Sequence, residues 1–145
     1  MWMAQYWDDI VLIDCGIQFP DSDMLGVNYS IPDVSFLTRY KKNIKWFIIT
    51  HGHLDHCGWL PRLVNQGFKG KIYCTSPTAA ITKLILLDSA KIQEEEARIA
   101  NERKFSKHEI AEPLYTVDQA KAVFSFFRVI KTNESIPLDA EISAV

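Results

Sequence analysis

Cysteine is scarce: Cys15, Cys57 and Cys74 are the three in 145 residues. They are too few and too scattered for a disulfide framework, and they suit a reducing compartment. No apolar run approaches the roughly 20 residues of a membrane span. The start, Met-Trp-Met-Ala-Gln-Tyr-Trp-Asp-Asp, lacks the basic flank and apolar stretch of a signal peptide. An excess of one charge is missing too, since 16 Lys and Arg face 18 Asp and Glu for a net charge of −2. That is no nucleic-acid footprint by charge alone, although a local basic patch stays open. Internal repeats and low-complexity tracts are absent. What is there, 48% hydrophobic and 23% charged residues, is ordinary globular usage and excludes wholesale disorder. The expectation is one soluble cytoplasmic domain with no membrane partner.

Strand and helix signals alternate, which predicts an α/β layered architecture. Residues 10–14 form a β-branched apolar run closed by Cys15-Gly16, and 1–7 supply a partner strand across a turn at Asp8-Asp9. Residues 18–32 read as a structured loop, then Pro32-Asp33 opens a short helix to Lys42 with Val34, Phe36, Leu37 and Tyr40 facing inward. Residues 45–50 are the clearest strand; a helix over 58–66 is stopped by Gly67, and 71–75 form another strand. Ser76-Pro77 is a strong helix start, and that helix is expected to reach Arg103. Its first half offers a wide apolar face (Ala80, Ile81, Leu84, Ile85, Leu87), and its charged second half is expected to project into solvent. Thr116 to Gln119 fits a capping box for a last helix reaching Phe126, and 128–131 and 141–145 read as strands. The chain begins almost on a strand and ends inside one, so both ends look cut.

Histidine is the anomaly: three of the four, His51, His53 and His56, fall within six residues. With Asp55 they form Thr50-His51-Gly52-His53-Leu54-Asp55-His56-Cys57-Gly58 directly after a strand, where sites of α/β sheets gather. Imidazole and carboxylate are what a borderline divalent metal such as zinc prefers. His51 and His53, two apart in extended chain, project the same way toward one ion. Asp55 and His56 sit where the chain turns into a helix and face a second. Two neighbouring ions suggest binuclear hydrolytic chemistry. For a lone histidine a polar surface loop or a helix cap is the better account; strand-loop-helix context favours the metal here.

His51-x-His53-x-Asp55-His56 resembles the signature of the metallo-β-lactamase superfamily, whose fold is an αββα sandwich. Asp14 matches the aspartate that braces the metal loop there, with a turn-forming role as the equal alternative. Asp14-Cys15-Gly16 through Phe19-Pro20, Met24-Leu25-Gly26 and Ile31-Pro32-Asp33 resemble bacterial ribonuclease J. His53 through Pro61 is similar to the pre-mRNA cleavage endonuclease subunit. Tyr73-Cys74-Thr75, Pro77-Thr78 and Leu87-x-Ser89-Ala90-Lys91-Ile92 look like bacterial RNA-processing members. All belong to the β-CASP branch, nucleases in which a cap domain clamps RNA or DNA over two zinc ions. The resemblance covers about residues 5–145.

It implies a zinc-dependent phosphodiesterase acting on RNA, or on DNA, with Asp55 orienting the nucleophile. It also implies a third histidine a few residues past Val145, a bridging aspartate and a late histidine. The chain is therefore expected to be the front half of the sandwich, an incomplete domain over 1–145 without the cap domain or the C-terminal half. Alone, it should bind metal weakly and turn over no RNA, until the missing half or a second copy of the chain completes it. Two other readings remain: a hydrolase of small thioesters or lactones, or a non-catalytic fragment. His108 reads as solvated, Cys57 and Cys74 as small buried residues, and Glu94-Glu95-Glu96 as a solvated helix face. Arg98, Arg103, Lys104 and Lys107 are candidates for phosphate contacts, and Trp2, Trp7, Trp46 and Trp59 for the core.

Overall fold

Apolar β-branched runs separated by helices dictate a buried, mostly parallel sheet. The structure, a computed structural model, describes residues 1–20, 27, 29–35, 37–40, 42–104, 109–137 and 143–144. A five-stranded sheet has the order β1 (Trp2–Tyr6), β2 (Asp9–Ile13), β3 (Ile44–Ile48), β4 (Lys71–Thr75), β5 (Phe127–Ile130). β1 pairs antiparallel with β2, and β2 to β5 run parallel. Two short strands, β6 (Ile136–Pro137) and β7 (Ser143–Ala144), pair with each other. The α/β class and a partial metallo-β-lactamase sandwich are what this sheet and its helices form.

The helices are α1 (Leu37–Tyr40), α2 (Leu54–Cys57), α3 (Leu60–Asn65), α4 (Ser76–Arg103) and α5 (Val117–Val123), the last continued by a 3-10 turn at Phe124–Phe126. They supply Leu37, Leu60, Leu63, Leu86, Ala120 and Val123 to a core built on Ile10, Leu12, Phe47, Ile72 and Phe127 of the sheet. Each large aliphatic fully buried there contributes about 1.5–3 kcal/mol. The opposite face of the sheet carries a smaller cluster, Val11, Trp46 and Tyr73, flanked by Ile13, Ile48 and Ile130.

Several local expectations need correction. The hairpin turn falls at Trp7-Asp8, with Trp7 at φ 51° in place of a glycine, and Asp9 already belongs to β2. Trp2 and Trp7 are 76% and 82% exposed, not core, because β1 is an edge strand whose five residues are all exposed. Trp46 and Trp59 are buried. The helix after Pro32 is shorter: Asp33 Oδ1 accepts from Ser35 N at 2.9 Å, a local turn, and α1 follows only at Leu37. Val34 and Leu37 are buried as expected; Phe36 lies outside the described residues. Residues 54–57, assigned to loop, form the separate turn of helix α2, and α3 starts two residues later than 58, with Pro61 in its first turn. Gly67 at φ 99° follows α3 as the expected stop.

α4 spans the predicted length, but its apolar stripe is not the buried one. Thr78, Ala79, Thr82, Leu86 and Ala90 face the core, while Leu84 is 70% exposed and Ile81 is exposed beside it. The helix lies close against the histidine loop, where a Cβ on Gly52 would come within 3.1 Å of Thr82 N. The second half does not project freely. Gln93 Oε1 accepts from Leu114 N at 3.0 Å, Glu94 Oε1 accepts from Val117 N at 2.9 Å, and Asn101 bonds Ala111 in both directions. Glu94 is thus a cap for α5 rather than a solvated residue. The Thr116–Gln119 capping box is formed as expected. β7 covers part of the last predicted strand; residues 141, 142 and 145, Lys107 and His108 lie outside the described residues.

Burial pushes the thiols of Cys15 and Cys57 up to about 12 and that of Cys74 up to about 11. Their neutral forms are favoured by the fold, so this contribution is fully present below the unfolded value near 9 and is lost as pH rises toward 12. The unfolding midpoint is therefore expected to hold steady to about pH 8.5 and to fall above it. Thermal melts across pH 7 to 11 check this: a Cys57→Ala variant should show a smaller alkaline fall than the parent.

Candidate metal centre

The sequence around Asp14 builds the floor of the site. β2 ends at Ile13, and Asp14 turns the chain out at φ 54°, a left-handed conformation that aspartate tolerates. Cys15, Gly16 and Ile17 then run alongside the histidine loop. Cys15 N donates to His56 O at 2.7 Å, Ile17 N to Leu54 O at 3.0 Å, and Trp59 N to Cys15 O at 2.9 Å. Between those bonds lies Gly16, where a Cβ would come within 1.9 Å of the Asp55 carbonyl carbon. Only glycine permits this approach.

Asp14 is buried, and its carboxylate is fully used. Oδ1 accepts from Thr50 N at 2.9 Å; Oδ2 accepts from Thr50 Oγ1 and from His56 Nδ1, both at 2.8 Å. A carboxylate can only accept, so His56 Nδ1 donates to Asp14 and leaves Nε2 as the ring atom that faces the cluster. That Nε2 is 3.2 Å from Asp55 Oδ2. Nitrogen and oxygen ligands of one tetrahedral zinc are themselves about 3.3 Å apart, given bonds of about 2.0–2.1 Å. Thr50 extends the same logic. Its hydroxyl proton goes to Asp14, so its oxygen accepts from His51 Nδ1 at 3.1 Å, leaving His51 Nε2 as the free donor atom. Thr50 was missed in the sequence; its signal was a hydroxyl residue directly before the first histidine.

Ligand atoms of His51, His53 and Asp55 all lie within 4.8 Å of one another. The His51 ring centroid is 4.7 Å from that of His53 and 3.9 Å from that of His56. All four expected ligands are brought together, His56 standing apart from the other three by its bond to Asp14. The donor set fits a borderline divalent ion, with the Nδ1 atoms of His51 and His56 held by oxygen partners. Cys57 is no rival ligand: its raised thiol stays protonated and donates to Gly52 O at 3.6 Å. Cys74 is likewise buried.

His53 and Asp55 open onto a cleft of about 940 Å³ walled by the 18–20 and 29–30 segments and by α4. Glu96 of α4 faces Tyr29 across it, and its charge, after burial, raises the phenol of Tyr29. Of the basic residues proposed for phosphate, Arg98 is held by Glu95 and Glu102 on its own helix. Arg103 and Lys104 are exposed at the helix end.

Comparison with known proteins finds related sequences. Ribonuclease J 1 of Streptococcus pyogenes is 45% identical over 62 residues, 43% of this chain and 11% of its own length. Transcription termination factor FttA of Methanocaldococcus jannaschii is 36% identical over 91 residues, 63% of this chain and 14% of its own. Ribonuclease J of Mycoplasma pneumoniae is 38% identical over 81 residues, 56% of this chain and 14% of its own. The chain thus spans about a seventh or less of the relatives it matches. Ribonuclease J is the group that the flanking motifs resemble. The model of the metallo-beta-lactamase superfamily matches residues 4–134, and with its histidine loop folded onto Asp14 at the end of a parallel strand, the chain belongs to that superfamily.

Proposed function

We propose that this chain carries the metal-binding part of a zinc-dependent phosphodiesterase that cleaves RNA. The observation that carries the reading is the His56 Nδ1–Asp14 bond with His56 Nε2 turned to the Asp55 carboxylate, because it leaves donor atoms aimed together and already oriented. His51 and His53 would hold a first zinc, and Asp55 and His56 a second. Bound there, two zinc ions would supply an acidified water and charge neutralisation at the scissile phosphate. Asp55, exposed at the cleft mouth, offers one oxygen for ligation and the other to accept a proton from the attacking water. Asp14 and Thr50 engage Nδ1 of His56 and His51 and so leave the Nε2 atoms for the metal. The three unpaired thiols support a cytoplasmic setting, and no helix among the described residues is long and apolar enough to cross a membrane.

His51 and His53 give the first ion two protein ligands, whereas a catalytic zinc commonly has three. Residues 1–145 alone are therefore expected to hold metal weakly and to show no turnover. The Val11, Trp46 and Tyr73 face of the sheet is where a C-terminal half or a second copy would pack. The test is a competition in which the zinc-loaded protein carrying this chain meets single-stranded RNA and a small thioester together. RNA cleavage, stopped by chelator and restored by zinc, is expected. Thioester hydrolysis with RNA left intact would overturn the proposal.

Asp14→Asn separates bracing from turn formation, since asparagine also tolerates the left-handed turn. Its amide nitrogen would face His56 Nδ1 and drive the ring to the other tautomer, placing a proton on Nε2. Zinc affinity is expected to fall by about 10–100-fold with the fold retained. Unchanged affinity in a zinc titration would leave Asp14 as a turn residue only.

A further inference from the structure

We propose that the cleft beside His53 and Asp55 is a nucleobase site in which an unpaired base of the substrate strand stacks on Phe19. This rests on the reading of the protein as an RNA phosphodiesterase and names the part of the substrate that the cleft takes. Phe19 is 62% exposed, yet it is held in place. Gln18 and Ser30 exchange two backbone hydrogen bonds, at 2.9 and 2.8 Å, in an isolated antiparallel bridge. That bridge sets Phe19 beside Tyr29, whose ring backs it at 5.6 Å between centroids with planes at 60°. Pro20 restricts Phe19 to extended backbone. An exposed aromatic with a fixed base and a second ring behind it is a stacking platform for single-stranded nucleic acid.

Charge decides which part of a strand lies there. Among the described lining residues the cleft has no lysine or arginine; it has Asp88 and Glu96 on α4, with Ser89 between them. A phosphate is repelled by that wall, whereas the exocyclic amino group of a base finds acceptors on it. Ile85 and Ile92 on the same helix add apolar lining for the base. A volume of about 940 Å³ admits a nucleoside with its sugar. The backbone of the strand then leaves the cleft at His53 and Asp55, the candidate metal ligands among its lining residues.

Equilibrium binding tests this without turnover. Fluorescence anisotropy would be read on a labelled single-stranded oligoribonucleotide and on the same backbone made abasic, with the parent protein, Phe19→Ala and Phe19→Tyr. The parent should bind the base-bearing strand about 10-fold more tightly than the abasic one, Phe19→Ala should lose that margin, and Phe19→Tyr should keep it. Parent and Phe19→Ala binding the base-bearing strand equally would overturn the stacking site while leaving the RNA reading intact. Equal binding of the base-bearing and abasic strands by the parent would do the same. If the parent binds neither strand, the RNA reading itself fails and the site with it.

Discussion

His53→Ala is expected to eliminate RNA cleavage while leaving the fold unchanged. His53 is exposed at the cleft mouth, and its ring meets His51 edge-on at 4.7 Å without a hydrogen bond to the core. Removing it costs little stability, within about 0.5 kcal/mol as for surface positions. It leaves the proposed first ion a single imidazole from this chain, His51, so the charge neutralisation on which phosphodiester hydrolysis depends is lost. A melt matching the parent together with no detectable cleavage by the protein carrying this chain is the expected pair of results. Sustained cleavage would show that the chemistry lies elsewhere.

Gly16→Ala should have the largest effect on stability. The added Cβ would lie 1.9 Å from the Asp55 carbonyl carbon, 2.0 Å from its oxygen and 2.4 Å from His56 N. These are backbone atoms, bound in turn through His56 O to Cys15 N, so no side chain can swing aside. Either the Cys15–Ile17 segment or the metal loop must move, at about 3 kcal/mol or more, the upper end of overpacking costs. For a chain of this size that is a fall of about 10 °C in Tm. Zinc binding should weaken with it, because the displaced atoms carry Asp55 and His56. A melt within about a degree of the parent would refute the close approach.

Features with a local chemical cause were legible in the sequence. Ser76-Pro77 marked the start of α4, Thr116 and Gln119 marked the capping box, and Lys71–Thr75 was a strand at its exact bounds. The clustering of the four histidine-loop residues was legible because imidazole and carboxylate at that spacing follow directly on a strand, and the structure brings their side chains together. What escaped depends on contacts between distant segments. The buried seam of α4 joins Thr78, Ala79, Thr82 and Ala90 to Leu86, and which face turns inward is set by the elements packed against the helix. The exposure of Trp2 follows from β1 lying at an edge, a property of strand order. Four residues, Leu54–Cys57, are too few to show helical periodicity, so α2 was hidden inside the metal motif. Thr50 acquires its role only because Asp14, 36 residues earlier, accepts a hydrogen bond from its hydroxyl.

Equilibrium dialysis of residues 1–145 against zinc, alongside a His51→Ala/Asp55→Ala double variant, tests the metal centre most directly. The account predicts zinc uptake by the parent chain that a chelator removes easily, and uptake by the double variant reduced to the level of a protein without a site. Equal zinc bound by the parent and the double variant would contradict it, because the donor atoms gathered at His51 and Asp55 would then not be where the metal binds.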